Sequence, residues 1–182
     1  HLAPAAPFDG PDVSVAFTLS EAGIAVQSLP ADLAETPEVR FTPEILEVVQ
    51  RFNGDPEQLY LYVKNNFEFT PYVGSQKGSQ GTALEFSGND VDQASLLIAL
   101  LRAAGIPARY VTGSMLIPID EALNWLGVDT PTVALQVLQW QGIAAQLVNT
   151  GGGSLRLNRV WVEAFVVRHG PNPRWVPMDP AF

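Results

Sequence analysis

The stretch Gly88-Asn89-Asp90-Val91-Asp92-Gln93-Ala94-Ser95-Leu96-Leu97-Ile98-Ala99-Leu100-Leu101-Arg102-Ala103-Ala104-Gly105-Ile106-Pro107-Ala108-Arg109-Tyr110-Val111 decides how this chain is read. Leu96 to Leu101 is apolar without a break, and Ala103 and Ala104 continue it. A helix over Asp90–Ala104 is therefore apolar on nearly every side and belongs inside a core. Asp90 fits its N-cap, with Gln93 completing a capping-box pattern. Gly105 ends the helix, Pro107 prevents its continuation, and Ala108–Ser114 reads as a strand.

Upstream, Thr42 caps a second helix, Pro43 is its first residue and Glu44 its first acid. Ile45, Leu46, Val48, Val49 and Phe52 give it an apolar face. Asn53-Gly54-Asp55-Pro56 breaks that helix and starts another, striped by Leu59, Tyr60, Tyr62, Val63 and Phe67. The Gly-, Ser- and Gln-rich stretch from Thr70 to Gly88 is expected to be a loop, and alternation over Asp12–Ser28 suggests an extended segment or hairpin. Downstream, Asp120–Leu126 and Pro131–Trp140 read as helices, the second capped by Thr130. Gly151-Gly152-Gly153 reads as a flexible loop. Leu155–Val167 reads as a long strand, His169–Pro173 as a turn, and Arg174–Met178 as the returning partner strand. Helices, a central helix, then strands predict an α+β fold with that buried helix packed on an antiparallel sheet. Residues 1–39 read as an N-terminal extended segment and linker, and residues 40–182 as the core, with a helical insertion at about 115–157. The insertion suits a lid, a partner surface or an extra packing layer. The opening at His1 with a Pro/Ala/Gly-rich stretch is expected of a domain from a longer polypeptide.

Composition narrows the chemistry. The chain has 182 residues, 47% hydrophobic and 16% charged, which suits one folded domain and excludes disorder for most of it. Ten Lys+Arg against 19 Asp+Glu give a net charge of -9, which argues against nucleic acid as a partner. Residues 1–85 carry twelve acids and four bases, so the acidity is concentrated there. The run Leu96–Leu101 is far shorter than the ~20 residues a bilayer span needs, so no membrane insertion is expected. There is no cysteine, which excludes disulfides, thiolate metal sites and a cysteine nucleophile. Only His1 and His169 are histidines, so a histidine-rich metal site is excluded. No cofactor or metal is expected.

Two further blocks follow the first in order, Val160-Trp161-Val162-Glu163-Ala164-Phe165 and Trp175-Val176-Pro177-Met178-Asp179-Pro180. Together the three resemble the core of the bacterial transglutaminase-like family, over roughly residues 40–182. The resemblance implies a papain-like cysteine-protease fold. In that fold a cysteine sits at the N-terminus of the central helix, and a histidine and an aspartate lie on neighbouring strands. A helix N-terminus and an adjacent imidazolium both favour a thiolate, and the aspartate orients the imidazole. The family's cysteine, set one residue (Val91) ahead of the Asp92-Gln93-Ala94 step, corresponds to Asp90. Its histidine, two residues before Trp161, corresponds to Arg159, and its aspartate to Asp179. Asp92 and Glu163 also follow the family pattern.

Arginine stays protonated and cannot serve as a general base. Thiolate, imidazolium and carboxylate have become carboxylate, guanidinium and carboxylate, which keeps the charge pattern. Arg159 is therefore expected between Asp90 and Asp179, paired with at least one of them. Trp161 and Trp175 are expected to pack the sheet or line a binding cleft. The reading is a transglutaminase-like domain of a larger bacterial protein, secreted or at the cell surface and without Cys-His acyl transfer. Its role would be binding, scaffolding or interaction. The resemblance implies a polypeptide or peptidoglycan-like ligand, or other domains of the parent protein, as partners. The alternative is a hydrolase using Asp90 and Asp179 as paired carboxylates on an amide or glycosidic substrate.

Overall fold

The structure, a computed structural model, describes residues 28–148, 153–167 and 171–182. The proposed hairpin at 12–28 lies almost wholly outside these residues, as do most of the glycine loop and the start of the turn at 169–173. In chain order the elements are a short 3-10 turn (Pro30–Leu33), α1 (Pro43–Arg51), α2 (Pro56–Asn66), β1 (Glu68–Phe69), α3 (Gly78–Glu85), β2 (Ser87–Gly88) and α4 (Asp90–Ala103). Then follow β3 (Ala108–Pro118), α5 (Ile119–Leu126), α6 (Pro131–Trp140), β4 (Ala145–Val148), β5 (Ser154–Val167) and β6 (Pro173–Met178).

The apolar composition of α4 gives what it predicts. Leu96, Leu97, Ile98, Ala99, Leu100 and Leu101 are all buried, at 0–1% exposure. Each such leucine or isoleucine contributes about 1.5–3 kcal/mol by leaving water. Gly105 ends the helix at φ +77, a left-handed conformation in which glycine meets no Cβ penalty, and Ile106 N–H then reaches back to the Leu101 carbonyl. Strand β5 pairs antiparallel with β4 through residues 154–157 and with β6 through residues 162–167, and β3 is its other neighbour.

The chain divides into two compact units. Among the described residues, the larger comprises 28–70, 74–112, 160–167 and 171–182. Its core gathers α4 with Val39, Ile45, Leu59, Val63 and Phe67 and with Val162 and Ala164 of β5. The smaller holds residues 71–73 and Gly113–Arg159, with Ile117, Ala122, Ala134, Leu138, Leu155 and Leu157 buried. Thr130 caps α6 by accepting from Val133 N–H, as its sequence position predicts.

Three expectations need correction. The stretch 70–88 contains a helix, α3, whose Gly/Ser/Gln composition hides it. Its buried positions are Ser79 and Thr82, and Thr82 satisfies its hydroxyl by donating to the Gly78 carbonyl at 2.6 Å. The N-cap of α4 is Asn89, and Asp90 is the first helical residue. Strand β3 runs on to Pro118, beyond the expected end at Ser114.

Candidate functional site

The N-terminus of α4 is built from four polar side chains with separate tasks. Asn89 accepts Asp92 N–H at 2.9 Å through its side-chain oxygen and donates its amide to the Gly74 carbonyl at 2.8 Å. An aspartate could make only the first contact, which explains why the cap is the asparagine and not its acidic neighbour. Gln93 does not close a capping box. Its amide donates to the carbonyls of Glu68 and Gly88, clamping the parallel pair β1–β2 against the helix. At Gly88 a Cβ would stand 3.1 Å from the Asp92 Cβ and 3.4 Å from a Thr82 methyl, so the close approach selects glycine.

Asp92 is fully buried and heavily bonded. Its carboxylate accepts the backbone N–H groups of Gln76, Lys77 and Gly78 at 3.0–3.1 Å and the Ser75 hydroxyl at 2.9 Å. It therefore holds the entry to α3 against the first turn of α4, where the helix dipole also favours its charge.

Asp90 stands where the family's nucleophile is expected. One carboxylate oxygen accepts Val91 N–H at 3.0 Å, and the other accepts Val160 N–H at 2.7 Å. The second bond ties the helix start to β5 one residue beyond Arg159. Arg159 is 2% exposed, with its guanidinium 4.7 Å from the centre of the Trp125 ring. Asp179 lies just past β6, half-buried, and accepts Ala181 N–H at 3.1 Å. Trp161 is half-buried in β5.

Trp175 of β6 belongs to a cluster that sequence reasoning left unassembled. Arg109 of β3 lies 4.0 Å above its ring and donates through Nε and an Nη to Glu163 of β5, at 3.0 and 2.7 Å. Phe165 packs on the same indole at 5.3 Å. One arginine thus joins three strands, by a two-donor ion pair and by stacking on an aromatic face. The signal in the sequence was Glu163 itself, a charged residue in the middle of a predicted strand.

Behind the site, the Tyr110 and Ser95 hydroxyls share a hydrogen bond at 2.8 Å. Burial pushes the Tyr110 hydroxyl above its ordinary value, and the Ser95 bond offsets part of that. Above the unfolded value near 10, the unfolded chain loses this proton while the folded chain keeps it, so stability falls as pH rises. Chemical denaturation at pH 9 and pH 11 should show that loss, and Tyr110→Phe should reduce it. Ser95 keeps its bond to the Val91 carbonyl at 2.8 Å, so the substitution itself should cost little at pH 7.

Among the described residues no group of three or more His, Asp or Glu side chains is placed to hold a metal ion, and no helix is long and apolar enough to cross a membrane.

Comparison with known proteins bears on the family and the fold. A family model described as the transglutaminase-like superfamily matches residues 49–180. No curated protein matches. Among solved structures, the chain is similar to a candidate cysteine protease from Cytophaga hutchinsonii, with 20% identity and a TM-score of 0.51 over 83% of this chain and 41% of that one. It is also similar to the periplasmic domain of TgpA from Pseudomonas aeruginosa, solved with and without ethylmercury. Identity there is 20% and the TM-score 0.47, over 82% of this chain and 45–46% of that one. This chain therefore spans less than half the length of each, and at such identity the likeness concerns the fold. The match over most of its length, together with the buried central helix, shows that the chain belongs to the transglutaminase-like superfamily, and it does so without a cysteine anywhere in its sequence.

Proposed function

We propose that this chain is a non-catalytic transglutaminase-like module of a larger bacterial protein, secreted or at the cell surface, with a binding or scaffolding role. The observation that supports this most is the use made of Asp90. Both of its carboxylate oxygens accept backbone N–H groups, one of them on β5. A carboxylate held this way is a weak nucleophile, and Arg159 offers no lone pair to take a proton. The position that carries the family's acyl-transfer chemistry serves here to fasten a helix to a strand.

The ligands this reading favours are polypeptide or peptidoglycan-like, with Trp161 and Trp175 as the aromatic contacts and other domains of the parent protein as further partners. A secreted or cell-surface location fits such ligands. Co-sedimentation with insoluble peptidoglycan and calorimetric titration with unfolded polypeptide test the role. Saturable binding weakened by Trp161→Ala supports it, and absence of binding to both counts against it.

The structural role of Asp90 has its own test. Asp90→Ala should lower stability by about 1 kcal/mol through loss of the Val160 contact, read as a fall in urea midpoint with an unchanged slope. Arg159→Leu tests the charge pattern. A bridge from Arg159 to either carboxylate predicts a lower melting temperature for this variant, and an unchanged one removes the bridge.

A further inference from the structure

On the face of the larger unit formed by α1, α2 and α3 lies a groove of about 240 Å³. Val48, Tyr62, Phe67 and Leu100 line it together with Leu84 and Phe86. Leu84 is 60% exposed and Phe86 52%. Neither residue belongs to the site around Asp90.

Phe86 is the notable one. It ends α3 at φ 52 and ψ 30, in the left-handed region where a helix terminus normally carries glycine or asparagine. A bulky side chain is strained there, and half of this one faces water. Its ring stacks on Phe67 at a centroid distance of 5.2 Å, and both rings line the groove. An aromatic kept in a strained conformation, beside an apolar hollow, is a mark of a contact surface.

Charged residues line the groove as well. Glu44, Glu47 and Arg51 recur at helical spacing along one side of α1 and line the groove. The order along the helix is acid, acid, base. The two acids outnumber the single base on this stretch of α1, as acids outnumber bases in the whole chain, 19 to 10.

We propose that this groove docks a short polypeptide segment that inserts one large apolar side chain between Phe86 and Val48, with a lysine or arginine beside it facing Glu44 and Glu47. Size and charge both argue for this occupant. The volume corresponds to roughly eight waters, below the usual range of small-molecule and cofactor pockets and suited to one side chain. Glu44 and Glu47 attract a basic segment, and the net charge of -9 repels a second copy of this chain. The inference stands on the groove alone and is independent of what Asp90 and Arg159 do.

The test is selection of a phage-displayed random heptapeptide library on the wild-type domain, with counter-selection on Leu84→Ser. The expected result is enrichment of peptides pairing Lys or Arg with Leu, Ile, Met or Phe. A fluorescein-labelled selected peptide should then bind at least tenfold more weakly to Leu84→Ser, Glu47→Lys and Phe86→Gly, measured by anisotropy. Phe86→Gly relieves the left-handed strain but loses the stack on Phe67, so if it melts lower the comparison rests on Leu84→Ser and Glu47→Lys. No enrichment, an acidic or charge-free consensus, or binding unaffected by these variants overturns the proposal. So does a concentration-dependent dimer in sedimentation that Leu84→Ser dissolves, since the occupant would then be a second copy.

Discussion

Asp92→Ala should lower the stability of this domain by about 4 kcal/mol, a fall in melting temperature on the order of 10 °C. The carboxylate is fully buried and receives four hydrogen bonds, three from backbone N–H groups at residues 76–78 and one from Ser75. Alanine removes all four acceptor contacts at once. The backbone donors cannot rotate away, since Gly78 starts α3 and Ser79 N–H is held by the Glu38 carbonyl at 2.7 Å. Each stranded donor costs about 1–3 kcal/mol. Asp92→Asn separates charge from shape. It keeps one oxygen but turns an N–H toward donors, so it should lose roughly half as much. Thermal unfolding with circular dichroism reads both. A shift under 2 °C for Asp92→Ala would mean that the turn before α3 holds itself.

The second large effect is expected at Arg102. This residue is 8% exposed near the end of α4, and its Nε and Nη2 both donate to the Ala108 carbonyl, at 3.0 and 2.8 Å. Its Nη1 donates to the Ala34 carbonyl. The guanidinium thus joins the end of the helix to the start of β3 and to the segment before α1. Burial pulls its pKa down, and the charges of Asp32 and Tyr110 oppose that pull. Arg102→Leu should cost about 2–3 kcal/mol, because two carbonyls lose a charged donor. Arg102→Lys should recover only part of it, since an ammonium cannot reproduce the planar fork. Full recovery by lysine would show that the charge alone matters.

Both residues show what the sequence makes legible. The central helix was readable from an unbroken apolar run closed by Gly105 and Pro107, signals local to the run. Asp90, Arg159 and Asp179 stand out as expected family positions because each sits in a motif of neighbouring residues. Helix α3 was not readable, because its stability comes from contacts distant in sequence. Asp92 lies 14–17 residues from its partners, and no periodicity records that pairing. Asn89 and Asp90 are comparable N-caps by type, and what decides between them is the Gly74 carbonyl, 15 residues away. Arg109 shows the same limit. Its charge was evident, but its partner Glu163 is 54 residues further on and its stacking face, Trp175, is on another strand.

The inert reading of the Asp90 position meets its most direct test in turnover by the purified domain. The substrates are a glutaminyl peptide, followed by ammonia release, and peptidoglycan strands, followed by release of new amine and reducing ends. Rates are measured from pH 4 to pH 9 for wild type, Asp90→Asn and Asp179→Asn. The account predicts background rates for all three proteins at every pH. A bell-shaped pH–rate profile in the wild type, lost in both variants, would contradict it and establish the two carboxylates as a working acid–base pair.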